Sequence, residues 1–167
     1  MAINDNLISY YKLEGNSNDS IGTYNGTDTS MSYGISYGKI GQGGNFDGSN
    51  SVIKMATFAR PTTAITASAW VKTSTKGKCF YGMDDSVVGN QQRSMQFQTD
   101  GTTGVPRFII FNASTNNNVA GTTNVCDGNW HFVVGTYNGT AIYVYVDGKQ
   151  EGSDTALTGN IRSGTVS

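Results

Sequence analysis

The sequence predicts an all-β protein, an antiparallel sandwich of two sheets. Three observations point there. Short apolar runs recur along the chain between clusters of Gly, Asn, Asp, Ser and Thr. Ile65–Lys72 (ITASAWVK) alternates cleanly, with Ile65, Ala67, Ala69 and Val71 on one face and Thr66, Ser68, Trp70 and Lys72 on the other. Two further apolar runs, Trp130–Tyr137 and residues 141–146, flank Asn138-Gly139. Asn-Gly takes positive φ readily, which a tight hairpin turn requires. No convincing helical period, internal repeat or interdomain linker interrupts the pattern. The 167 residues fit one domain, residues 1–167, long enough to bury a sizeable core.

Taken in order, residues 7–13 (LISYYKL) read as a first strand. A polar loop, residues 14–30, follows; it is too long and polar for a simple hairpin and so is a candidate site. Residues 37–46 are glycine-rich, and Asp47-Gly48 turns the chain into a strand over residues 51–55. After Ile65–Lys72 come strands over residues 78–83, 94–99 and 107–112, with Asp100-Gly101 opening the turn between the last two. In the C-terminal hairpin a two-residue turn sets Tyr137 opposite Thr140. Gly135, Val133 and His131 then face Ile142, Val144 and Val146 on an aliphatic side. Val134, Phe132 and Trp130 face Tyr143, Tyr145 and Asp147 on an aromatic side. Asp147-Gly148 starts a strand over residues 149–155. Residues 156–167 read as the beginning of another strand, whose open edge calls for covering by a further segment after Ser167 or by another chain.

Composition narrows the function. A net charge of -1 argues against nucleic acid, which calls for a basic patch. No stretch approaches the roughly 20 apolar residues of a membrane helix. The first residues, MAINDN, lack the basic and apolar regions of a signal peptide. Either that signal lies outside this sequence or the protein reaches the exterior another way, as virion proteins released by lysis do. The two cysteines, Cys79 and Cys126, each lie beside a predicted strand and read as small buried or half-buried thiols, although one disulfide is open to them.

Several motifs coincide. LISYYKLEGNSNDSIGTYNGT, YGKIGQGGNFDGSNSVIKM, ITASAWVK and GNWHFVVGTYNGTAIYVYVDGKQEG occur in this order. Together they resemble the laminin-G-like jelly-roll domain of the concanavalin A-like lectin/glucanase superfamily, over most of the chain up to Gly152. The resemblance implies a two-sheet antiparallel jelly roll that binds carbohydrate or protein and is frequently stabilised by Ca²⁺. The opening MAINDNLISYYKLEGNSNDS also looks like phage and prophage structural proteins carrying this domain directly after the initiator Met. One departure stands out: the acidic residue that the family usually places in a final strand, and that often helps hold calcium, has no counterpart after Glu151.

The chemistry of the residues favours binding over catalysis. Glycoside hydrolysis normally needs two carboxylates roughly 5–10 Å apart. Here the only glutamates, Glu14 and Glu151, are far apart in sequence, and the Glu-x-Asp-x-x-Glu cluster of the superfamily's glucanases is absent. Asp84-Asp85 is an acidic doublet whose members diverge if extended. His131, the only histidine, lacks a partner motif and reads as a structural residue hydrogen-bonded near a strand end. For calcium the candidates are Asn18 and Asp19, matching the family's Asn-Asp-Ser; the alternative is that they make Asx turns. For carbohydrate the candidates are Trp70, Tyr81, Asp84, Asp85 and Gln96, because an aromatic face with nearby amides and carboxylates suits a sugar's C–H patches and hydroxyls. Trp130, Phe132, Tyr143 and Tyr145 share an aromatic face; for Trp130 and Phe132 the favoured reading is that loops cover them as a second small core.

The expected function is therefore a non-catalytic carbohydrate-binding module of a virion or extracellular protein, recognising surface glycan with many weak sites per particle. The rival is a structural decoration or assembly domain contacting a neighbouring virion protein or a second copy of itself, a homo-oligomer.

Overall fold

A computed structural model describes residues 6–84 and 93–163. Asp85 lies outside the described residues. The chain forms two compact units, one up to Phe58 and one from Ala59 on.

In the first unit, β1 (Gly26–Thr29) pairs antiparallel with β4 (Val52–Met55), and β2 (Ser32–Gly34) pairs with β3 (Gly43–Asn45). A 3-10 turn, Ile35–Tyr37, follows β2. Residues 7–13 do not form the expected strand; they make one isolated bridge, Tyr11 to Asp19. The reason is local. The Tyr10 amide donates to Asp19 Oδ1 at 2.9 Å, and its carbonyl accepts from Ser20 N at 2.8 Å. Both ladder groups of Tyr10 are thus taken by the following loop, and Leu13 then turns with a φ of 60°. The polar loop holds β1, which apolar periodicity could not reveal because GTDT has no apolar residue.

The second unit contains two four-stranded antiparallel sheets. One has the order β12 (Lys149–Asp154), β11 (Ile142–Val146), β10 (Trp130–Tyr137), β5 (Ile65–Lys72). The other runs β6 (Cys79–Met83), β7 (Met95–Thr99), β8 (Pro106–Phe111), β9 (Asn116–Ala120). The alternation read from the sequence matches the burial. Val133, Tyr137, Ile142, Val144 and Val146 are buried on one inner face, and Met95, Phe97, Phe108, Ile110 and Val119 on the other. Phe97 and Phe108 meet edge to face, centroids 5.3 Å apart. Phe108 lies directly against Gly135, where an added Cβ would overlap its ring. A glycine in mid-strand forgoes side-chain packing, and here it gives an aromatic ring of the facing sheet its seat.

The hairpin register differs from the two-residue turn read from the sequence. Tyr137 pairs with Ile142, Gly135 with Val144 and Val133 with Val146, leaving four residues in the loop. The Asn138 side chain explains this. Its Oδ1 accepts the Thr140 amide at 3.0 Å and the Ala141 amide at 2.9 Å, while its own amide donates to Ala141 O at 3.2 Å. Asn138 therefore closes a wider Asx-capped turn, with Gly139 at a φ of 93°. The slip is by an even number of residues, so the aliphatic and aromatic sides keep their faces.

Two other expectations change. β9 (NNNVA) carries a single core residue, Val119, and was invisible to apolar periodicity. Residues 156–163 form no strand; Leu157 and Ile161 are buried, Ile161 N donates to Thr62 O at 2.7 Å, and Arg162 N donates to Phe111 O at 2.8 Å. This segment closes back over its own unit instead of extending a sheet. Both cysteines are free; Cys126 is buried but Cys79 is exposed, because it pairs across from Gln98 on the outward side of β6.

Candidate functional site

The outward face of the β5–β10–β11 sheet is built from alternate residues of strands whose other residues are locked into the core. Trp70 is directly opposite Phe132, and their rings lie 5.3 Å apart at 42°. Trp70 is 44% exposed, the most open large aromatic of this unit. Phe132, Trp130, Tyr143 and Tyr145 are half-buried, and the two tyrosine rings are 6.5 Å apart. Ser68 and Thr66 continue the face, Thr66 Oγ1 donating to Thr136 Oγ1 at 3.0 Å. The face thus alternates rings with hydroxyls.

The outward face of the β6–β9 sheet is polar and internally paired. Asp84 Oδ1 lies 3.5 Å from Arg93 Nε, and Arg93 Nη1 donates to Gln96 Oε1 at 3.4 Å. Arg107 Nη1 donates to Asp100 Oδ2 at 3.3 Å and its Nη2 to Asn118 Oδ1 at 2.7 Å. The backbone amides of Thr103 and Thr102, the Thr103 hydroxyl and then Arg107 hold Asp100 down to about 2.

The residues proposed for sugar contact are therefore divided. Asp84 and Gln96 are brought together by Arg93, which sequence reading missed; only its place just before a strand could have hinted at it. Trp70 belongs to the other sheet. Tyr81 pairs with buried Phe97 and shares its inward side, whereas Gln96 pairs with Gly82, so Tyr81 and Gln96 sit on opposite faces of one sheet.

Asp19 is a loop organiser. Its carboxylate accepts the amides of Tyr10 at 2.9 Å, Ile21 at 3.1 Å and Tyr24 at 3.4 Å. Burial raises its pKa, but these donors outweigh burial and keep it below the usual carboxylate value. A carboxylate offers about four lone-pair sites, and these three amides use most of them. A cation at Asp19 would compete with those donors. Asn18 is exposed, and its amide donates to Asn16 Oδ1 at 2.9 Å in an Asx turn. Among the described residues no group of three or more His, Cys, Asp or Glu side chains is arranged to hold a metal.

Both glutamates are likewise occupied. Glu151 accepts the amides of Thr122 at 2.8 Å and Thr123 at 2.9 Å and the Thr123 hydroxyl at 2.6 Å. Glu14 accepts the Gln42 amide at 3.2 Å.

His131 is placed at a strand end, as the sequence suggested, but not as the hairpin pairing implied. Its Nδ1 is 2.8 Å from Asp147 Oδ2 and its Nε2 is 3.2 Å from Asp127 Oδ1. Burial opposes its charge, but the bonds to Asp147 and Asp127 outweigh burial and raise its pKa above the ordinary value. The Asn129 side chain and amide, with a smaller contribution from His131, hold Asp127 at about 2. This trio was not legible beforehand, because the even slip in register is what moves Asp147 beside Phe132.

Comparison with known proteins agrees with this architecture. Domain 4 of AbnA, a GH43 extracellular arabinanase from Geobacillus stearothermophilus, solved in complex with arabinotriose, superposes with a TM-score of 0.64 at 19% identity, covering 94% of this chain and 80% of that one. The carbohydrate binding module CBM66 from Bacillus subtilis gives a TM-score of 0.43 at 13% identity, covering 84% of this chain and 90% of that one. No curated protein matches. A Laminin_G_3 family model matches residues 47–166, well over half of the sequence, and the chain belongs to the concanavalin A-like lectin/glucanases superfamily that this model describes.

Proposed function

We propose that this chain is a non-catalytic carbohydrate-binding module that holds glycan on the outward face of the β5–β10–β11 sheet. The observation that carries the reading is Trp70, 44% exposed on a regular strand and set beside Phe132. Held on a rigid strand, the ring offers an apolar platform beside the hydroxyls of Ser68 and Thr66, the pairing of surfaces a sugar ring presents. The AbnA domain, which shares the fold, is bound to arabinotriose, and that supports the class of ligand. Glu14 and Glu151 both organise loops, which supports a binding role over hydrolysis. The likeness of the N-terminal stretch to phage structural proteins supports display on a virion facing host-surface glycan.

The test is affinity electrophoresis of the whole chain through immobilised surface polysaccharides, with Trp70→Ala beside it. Retardation of the wild type and its loss in the variant are expected. Passage of the wild type through every polysaccharide without retardation overturns the proposal.

A second reading, an assembly domain without sugar binding, is favoured by one observation in the first unit. Ile35 is 80%, Ile40 79% and Phe46 50% exposed within a dozen residues. Apolar side chains this open mark protein contacts as readily as chance exposure. Loss of particle integrity on deleting the domain, with no polysaccharide retardation, would select it.

A further inference from the structure

The trio of Asp127, His131 and Asp147 joins three pieces of the second unit at one end of the aromatic face. Asp147 belongs to the turn between β11 and β12; its Oδ1 accepts the Phe132 amide at 2.8 Å and its amide donates to Phe132 O at 2.9 Å. Asp127 opens the turn that precedes β10, its carboxylate accepting the Asn129 amide at 2.8 Å and the Asn129 side chain at 2.9 Å. Gly128, the next residue, donates to Thr73 O at 3.0 Å, just beyond β5. His131 stands between the two carboxylates, its side chain only 12% exposed.

Hydrogen-bond arithmetic fixes the charge state of this arrangement. Both ring nitrogens face carboxylate oxygens at bonding distance. A neutral imidazole has one N–H and one lone pair, so it can serve only one of them and must turn a lone pair against the other. Both contacts are favourable only for the imidazolium. Removing the proton therefore breaks one contact and leaves two carboxylates with no cation between them. The longer contact, at 3.2 Å to Asp127, is the one to give way; the 2.8 Å contact to Asp147 keeps the remaining N–H. The charged groups facing His131 are Asp127 from the preceding turn and Asp147 from the β11–β12 turn. On the neighbouring strands Lys72 of β5 pairs with Trp130, and Lys149 of β12 pairs with Val146.

We propose that Asp127, His131 and Asp147 form a protonation latch: the imidazolium fastens the residue 127–129 turn to the start of β10, and loss of its proton releases that turn at the strand end that carries Trp130. Its consequence for glycan rests on the binding role proposed above. Ligand is held more firmly at mildly acid pH and less firmly at alkaline pH.

The experiment is NMR of the whole chain between about pH 5 and pH 9, spanning the ordinary histidine range. It follows the His131 ring, the Asn129 amide and the Phe132 amide, in wild type and Asp127→Asn, with polysaccharide retardation measured over the same range. A His131 midpoint above that of a free histidine is expected, with the Asn129 amide moving at the same midpoint and Phe132 staying nearly still. Asp127→Asn, which leaves the core untouched, lowers the midpoint. Retardation weakens severalfold above the midpoint in wild type and becomes flat with pH in the variant. A His131 midpoint at or below the free value, or an Asn129 amide indifferent to it, overturns the latch. If the latch titrates while retardation stays constant, its control of the site is overturned and the binding role stands. If no polysaccharide is retarded at any pH, the binding role falls, and with it the control of the site.

Discussion

The two outward faces of the second unit have the same origin and opposite chemistry. Each is the alternate set of residues on a four-stranded antiparallel sheet, set by the pleat once the inner residues are buried. On the β6–β9 face the long polar side chains pair with one another, Arg93 with Gln96 and Arg107 with Asp100 and Asn118, while Arg93 Nε lies 3.5 Å from Asp84 without a hydrogen bond. On the β5–β10–β11 face the rings of Trp70 and Phe132 lie side by side, with Trp70 44% exposed. A ligand meeting the first face must replace bonds already made, whereas on the second it gains contact with apolar surface. Polar groups on a sheet are thus a poor guide to a binding face until their partners are known.

The largest expected effect breaks both faces together. Phe108 is fully buried between the sheets, and Phe108→Ala should cost about 3–5 kcal/mol in urea unfolding, by lost transfer free energy and the cavity left behind. A loss below about 1 kcal/mol would mean the sheets do not share a core through this ring.

The next tests the difference between the faces. Trp70→Ala should weaken polysaccharide binding on the order of tenfold or more, as loss of an aromatic anchor does, with little change in stability. Arg107→Ala should leave binding unchanged, since its guanidinium is engaged with Asp100 and Asn118. The reverse pattern in affinity electrophoresis would move the site to the polar face.

Asn138→Ala removes the side-chain acceptor of two turn amides and should destabilise by about 1 kcal/mol, the usual worth of such a cap. An unchanged midpoint would argue against the four-residue turn, and with it against the register that sorts the aromatic face.

A smaller effect follows from pH. His131 has a folded-state pKa raised above its unfolded value, so its contribution to stability is complete below about pH 6.5 and is lost as pH rises through the folded-state pKa. Asp147 is lowered, so its contribution is present above about pH 4 and lost as pH falls further. Thermal unfolding of wild type and His131→Gln should therefore differ most between these limits and converge at alkaline pH. Parallel curves across the whole range would contradict the assignment. The smallest expected effect is that of chelation: with Asp19 already accepting three loop amides, adding or removing Ca²⁺ should leave both the unfolding temperature and glycan retardation nearly unmoved. A rise in either on adding Ca²⁺ would show that a cation binds, and Asp19→Asn would tell whether Asp19 holds it.

Much of the fold was legible because hydrophobic periodicity is local. Ile65–Lys72 and Trp130–Tyr137 were delimited from the sequence with the bounds the strands have, since each alternates between a core and an outer side. Periodicity could not find β9, which pairs through its backbone while burying Val119 alone, and it overcalled residues 7–13, whose amides are claimed by Asp19. The outward place of Trp70 was legible from the alternation of β5. The grouping of Asp84 with Gln96 and the inward side of Tyr81 depended on how β6 pairs with β7, including a bulge between Cys79 and Tyr81.

The sequence by itself determined the strand class, the faces of the central strands and the separation of an aliphatic from an aromatic side, because each follows from the two-residue period of a single strand. Only the tertiary structure decided which polar groups are already partnered, because partners come from elements distant in sequence. It showed that Asp19 holds the amides of Tyr10, Ile21 and Tyr24. It also set His131, an apparently isolated residue, between two carboxylates that the chain brings together from positions 127 and 147.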